Sequence, residues 1–211
     1  FSDYDFDEDG NPLGKTIASE IFLNKDKYKS LENKNLILSS NREYNFDREQ
    51  SKGNKPRGLW YAKGFEWIDL LIENIGGIFS LAKYTRLYEI EVTDKVLKLI
   101  DEKDAIQFTK EYGVKTDFDK EYFDERYSEI DWKKVAKNYS GIELSTLLAL
   151  NSHYTKRKRI LEWTSGWEIG SGCIWDKSGI DKITLIMEED NIEFKKGGKV
   201  DAKELKMVKG G

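Results

Sequence analysis

The 211-residue sequence contains a single cysteine, Cys173, and a single histidine, His153. One thiol excludes an internal disulfide framework, and one of each residue excludes a zinc site built from histidine and cysteine ligands. Such sparing cysteine use fits a reducing compartment. No apolar run approaches the ~18 residues that a membrane-spanning helix needs, and no secretory leader is visible. The chain begins at Phe1 rather than Met, which fits a fragment or a processed product. Neither charge sign dominates, since 35 Lys and Arg against 39 Asp and Glu leave a net charge of −4. With the signs interspersed, no global charge argument points to nucleic acid or to an anionic membrane. The common catalytic signatures are missing as well: there is no Gly-x-Gly-x-x-Gly, no Walker loop and no Gly-x-Ser-x-Gly elbow. His153 falls on a polar helical stretch, which suits a surface histidine, and Cys173 falls in an apolar strand, which suits a packed thiol.

What the chain does have is aromatic residues and charge. Ten Phe, eleven Tyr and six Trp can build a core although hydrophobic residues are only 38% and charged ones 35%. The mixture of short strands and helices, without regular alternation, reads as an α+β fold. Residues 1–34 read as an acidic extension and linker, 35–195 as one globular domain, and 196–211 as a lysine- and glycine-rich tail. Asp5, Asp7, Asp9 and Gly10 match the first half of a calcium loop. Thr16 stands where that loop needs its bidentate glutamate, so a solvated acidic turn is expected and no metal site.

Strands are expected at Leu36–Ser40, Leu59–Ala62, Tyr84–Val92, Val96–Ile100, Cys173–Trp175 and Ile180–Met187, from β-branched and aromatic content and from alternation. Ile17–Leu23 suits either a short helix or a strand. Helices are expected at Phe65–Asn74, Asp104–Tyr112, Asp131–Tyr139 and Ser145–Ile160, the second capped by Asp101 or Asp104 and the third by Asp131. Gly113–Glu129 reads as an acidic, aromatic connection, and Lys156–Arg159 as a basic helix end.

The stretch from Lys55 to Trp67 stands out. Pro56 holds the preceding residue extended, Gly58 permits a tight backbone, and Leu59-Trp60-Tyr61-Ala62 forms a short aromatic strand that Gly64 breaks before a helix. Alternation sends Trp60 and Tyr61 to opposite faces. The Tyr61 hydroxyl needs water or a partner, so Tyr61 is the ring expected to line a cleft.

Gly58-Leu59-Trp60-Tyr61-Ala62, followed by a helix, resembles the Gly-(Leu/Ile)-Tyr-Phe-Ala stretch of the ADP-ribosyltransferase superfamily. The resemblance covers residues 35–190. It implies a split two-sheet α+β fold, an aromatic ring that stacks on the nicotinamide of NAD, and a macromolecular acceptor, protein or nucleic acid. Leu36–Ser40 would be the family's first strand and Tyr84–Val92 a central one. That first strand usually carries a histidine or arginine with a Ser/Thr. Here it offers Ser39 and Ser40, with Arg42 close by. Ser39, Ser40, Arg42, Gly58, Trp60 and Tyr61 are therefore the implied NAD-contacting residues. The stretch Gly172–Ile180 resembles the late strand and turn that usually opens on a catalytic glutamate, but Ser171 and Gly172 stand there. Glu168 is the nearest carboxylate, and Glu143 is a second candidate. The family reading implies a toxin-like or effector transferase, cytoplasmic or delivered into a host cytoplasm. A non-catalytic interaction domain, of viral, phage or host-interaction type, is the other class that the residues allow.

Overall fold

The computed structural model describes residues 17–39, 46, 48–73, 84–151, 158–188 and 199–200. In chain order the first elements are Ile17–Leu23 (α1), Asn35–Ser39 (β1), Lys52–Gly53 (β2), Leu59–Lys63 (β3), Glu66–Glu73 (α2), Arg86–Val92 (β4) and Val96–Leu99 (β5). Then come Glu102–Tyr112 (α3), Gly113–Val114 (β6), Asp117–Tyr122 (α4), Glu129–Asp131 (β7), Trp132–Val135 (α5), Gly141–Leu144 (β8) and Thr146–Asn151 (α6). Ser171–Ile174 (β9), Ile180–Glu188 (β10) and Lys199–Val200 (β11) complete the set. The fold is α+β, with antiparallel and parallel strand pairs and a separate small sheet of three strands. Among the described residues, no helix is long and apolar enough to cross a membrane.

The chain divides into two compact units. The first comprises Phe1–Glu43, Tyr61–Glu91 and Lys182–Gly211. Here β1 pairs antiparallel with both β3 and β4, placing Leu36 opposite Ala62 and Ile37 opposite Tyr88. β10 lies on the outer side of β4, and β11 adds to it with Val200 opposite Ile183. The core is mainly aliphatic: Ile17, Ile21, Leu31, Leu36, Leu38, Ile68, Leu87 and Met187 bury together with Tyr28. Ile17, Ala18 and Ile21 are fully buried on α1, so residues 17–34 are part of this core and not a linker. The tail drawn at 196–211 likewise contributes a strand at Lys199–Val200. Gly64 has φ +48, and an added Cβ there would strike the Glu32 carbonyl, which accounts for glycine at the turn after β3.

The second unit comprises Tyr44–Trp60 and Val92–Asp181. β8 pairs with β5 in parallel and with β9 antiparallel. The three-stranded sheet has the order β2-β7-β6. Trp132, Trp163, Trp167 and Trp175 bury here with Phe108, Tyr112, Ile142, Leu144 and Cys173. A buried indole N–H needs an acceptor, and each of these four has one. Trp132 donates to the Gly53 carbonyl (3.0 Å), Trp163 to Thr109 Oγ1 (2.7 Å), Trp167 to the Asn54 carbonyl (3.3 Å) and Trp175 to the Tyr139 carbonyl (2.8 Å).

Two helices follow their capping chemistry. Asp101 caps α3 by accepting from the Asp104 N–H, and Asp131 caps α5 by accepting from the Lys134 N–H. The connection expected at Gly113–Glu129 holds β6 and α4, and α4 opens on a capping box between Thr116 and Asp119. The helix expected over Ser145–Ile160 is described only at Thr146–Asn151, and a 3-10 helix runs over Arg159–Gly166.

Candidate functional site

Trp60 closes one segment of the second unit, on β3, and its ring stays half-buried against that unit's core. Its centroid lies 4.9 Å from that of Trp167, with the planes tilted by 57°. The Lys55 ammonium sits 5.3 Å from the Trp60 centroid, a cation–π contact. Glu168 directly follows Trp167 and is exposed. Its charge reaches Lys55, where it opposes the effect of burial. Burial lowers the Lys55 pKa, and the negative charges of Glu168 and a Cys173 thiolate would raise it. Lys55 as a residue is nonetheless exposed.

The backbone beneath this cluster is tight. A Cβ on Gly58 would lie 2.3 Å from Cys173 Sγ and 2.6 Å from the Ile174 carbonyl oxygen, so only glycine lets this segment lie against β9. A Cβ on Gly166 would meet Asn54 Nδ2 at 2.9 Å. Cys173 is fully buried, and burial pushes its thiol well up, against the pull of Lys55. A thiol held in that form is a poor nucleophile.

The remaining sequence candidates separate from this cluster. Tyr61 is 1% exposed, so it is a core ring and not the cleft ring expected of it. Trp60 and Tyr61 do differ, as alternation requires, but the indole is the accessible one. The polar tip of tyrosine favours water only when the strand presents that face, and here the adjacent Tyr61 and Ala62, on opposite faces of β3, are both buried. Ser39 ends β1 in the first unit, half-buried, with its carbonyl accepting from the Thr85 N–H at 3.1 Å. Its register partner on β4 is Arg86, whose guanidinium pairs with Glu188 at 2.8 Å. Ser40, Arg42 and His153 lie outside the described residues.

Glu143 is half-buried on β8, opposite Gly172 on β9 and Lys98 on β5. It alternates with Ile142 and Leu144, which face the tryptophan core, so it points to the other side of that sheet. Trp60 packs on the core side. Of the two carboxylates, Glu168 is therefore the one that shares a neighbourhood with Trp60. Among the described residues, no group of three or more His, Cys, Asp and Glu could hold a metal ion.

Lys55 and Trp167 were not among the site residues that the sequence suggested. The available signal was the Trp163-x-x-x-Trp167 spacing with a lysine beside Pro56. No family model, no curated protein and no solved structure matches the chain.

Proposed function

We propose that the protein is an NAD-dependent ADP-ribosyltransferase acting on a macromolecular acceptor, with Trp60 as the nicotinamide-stacking ring and Glu168 as the carboxylate. The observation that carries this reading is the cation held over the half-buried Trp60 ring by Lys55, 5.3 Å from the centroid. The nicotinamide ring of NAD is itself a flat cation. It can take the same indole face and keep the cation–π attraction. Lys55, displaced from the ring, remains close enough to meet the negative diphosphate of the same molecule.

In the reaction, the bond between ribose C1′ and the nicotinamide nitrogen breaks and its electron pair leaves with nicotinamide. Positive charge develops on the ribose, and a fixed carboxylate opposite it lowers the barrier. The acceptor's nucleophile then bonds to C1′ and gives up its proton. Stacking contributes mainly to binding, and the carboxylate mainly to the chemical step.

Release of nicotinamide from NAD by the wild type and by Glu168→Gln tests this assignment. The variant should lose at least about a hundredfold in rate, the scale of one electrostatic contact to a developing charge, while NAD affinity stays nearly unchanged. Full activity in Glu168→Gln would rule out Glu168 as the carboxylate. A wild type that binds NAD without cleaving it would favour the non-catalytic binding domain, a reading that Ser171 and Gly172 at the start of β9 also favour.

A further inference from the structure

The helix α4 carries two large rings that the core does not use. Phe118 is 56% exposed and Tyr122 is 59% exposed, and their centroids lie 4.9 Å apart. The two are four residues apart, so they share one helix face. Phe123 extends the cluster, 5.7 Å from Phe118. Paired exposed rings of this size mark a contact surface more often than isolated ones do.

The support beneath the rings is rigid. Asp119 is fully buried on the same helix and accepts from the Thr116 N–H (3.0 Å), the Ser128 N–H (3.3 Å) and the Ser128 hydroxyl (2.8 Å). Arg126 Nε lies 3.2 Å from Asp119 Oδ1, an ionic contact rather than an aligned hydrogen bond. The Arg126 guanidinium lies 5.1 Å from the Phe123 centroid and 5.7 Å from that of Phe118, and the Arg159 guanidinium lies 4.7 Å from Phe123. This cluster thus already accommodates two of the chain's own guanidiniums on its rings.

Charge decides the kind of partner. Of the cations near the rings, Arg126 pairs with Asp119 and Glu162, Lys120 with Asp117 and Lys158 with Glu102, while Lys115 donates to the Asp124 carbonyl and Arg159 rests on Phe123, these last two without an ion pair among the described residues. Glu121, Asp124 and Glu125 are exposed and form no ion pair among the described residues. Three unpaired carboxylates against the two cations Arg159 and Lys115 leave the free charge around the rings net negative. It repels phosphates and attracts cations.

We infer that the Phe118–Tyr122 face of α4 docks an arginine-rich segment of a partner protein, its guanidiniums stacking on the two rings and pairing with Glu121, Asp124 and Glu125. Docking of this kind does not depend on the NAD reading, because it needs neither Trp60 nor Glu168.

Titration of the full chain with a fluorescent alternating arginine–glycine peptide, without NAD, tests it. The wild type should bind, and binding should weaken as salt rises. Phe118→Ser with Tyr122→Ser should weaken binding at least about tenfold, a modest share of what well-packed anchors supply. Glu121→Gln with Glu125→Gln changes only exposed charge, leaves the helix and its cap in place, and should weaken binding about threefold or more at low salt. No binding by the wild type, unchanged binding by either double variant, or tighter binding of a single-stranded oligouridine than of the peptide would overturn the inference.

Discussion

The two units solve the packing problem with different residues. The first buries mostly aliphatic side chains, with Ile17, Ile21, Leu36, Ile68 and Leu87 among the most deeply enclosed. The second holds five of the six tryptophans and turns four of them into hydrogen-bonded struts, two of which, Trp132 and Trp167, join its two segments. Aliphatic packing stabilises by area and tolerates small changes of shape. An indole bonded to a distant carbonyl also fixes where that backbone lies. The Gly53 and Asn54 carbonyls are held by Trp132 and Trp167, and they lead directly into Lys55, Gly58 and Trp60. The unit with the directional core is the one that carries both the Trp60 cluster and the α4 ring face.

The largest effect should come from breaking one of those struts. Trp132→Ala should cost about 3–5 kcal/mol in denaturant unfolding, from lost packing and an unpaired Gly53 carbonyl. If Trp132→Ala cost no more than a single methyl deletion in the first unit, the contrast between the cores would fail. Asp119→Ala should follow at about 3 kcal/mol, since it leaves Arg126 facing a half-buried gap and removes the Asp119 half of the capping box of α4.

Asp119 also predicts a pH dependence. Burial pushes its carboxyl up, but the hydrogen bonds from Thr116 and Ser128 together overcome that and hold it below the ordinary value. A lowered folded-state pKa adds stability that is present above the ordinary carboxylate range and is lost as pH falls through the folded value. Acid titration of unfolding should therefore show a loss below pH ~4 that Asp119→Ala lacks. Equal acid sensitivity in both proteins would remove Asp119 from that role.

Gly58→Ala should cost about 1–3 kcal/mol, because the added methyl meets Cys173 Sγ and the Ile174 backbone. The smallest effect belongs to the first unit: Ile21→Val should cost about 0.5–1.5 kcal/mol. A Gly58→Ala protein as stable as the wild type would mean that the segment before Trp60 can shift, and the cluster with it.

Alternation made β1, β3 and β4 legible, and carboxylate caps made α3 and α5 legible to within a few residues. The direction in which an alternating strand faces is set by its partners. Trp60 and Tyr61 were therefore separable from sequence, but the wrong one was expected inside. α4 escaped notice because its buried residue is Asp119 and its exposed ones are aromatic, the reverse of an amphipathic pattern. The parallel pairing of β5 with β8 joins residues more than forty positions apart, as Val96 with Gly141 shows, and nothing local encodes it. Of the site, Trp60, Gly58 and Glu168 were visible in the sequence. Lys55 was not, because its position over Trp60 depends on the tethered loop.

Calorimetric titration of NAD into the wild type and into Trp60→Ala tests the central claim most directly. The account predicts measurable NAD binding by the wild type and at least about tenfold weaker binding by Trp60→Ala, the loss of about one stacking and cation–π contact. Tyr61→Phe, which keeps the buried ring, should bind like the wild type. Equal NAD binding by the wild type and Trp60→Ala, or no binding by either, would contradict it.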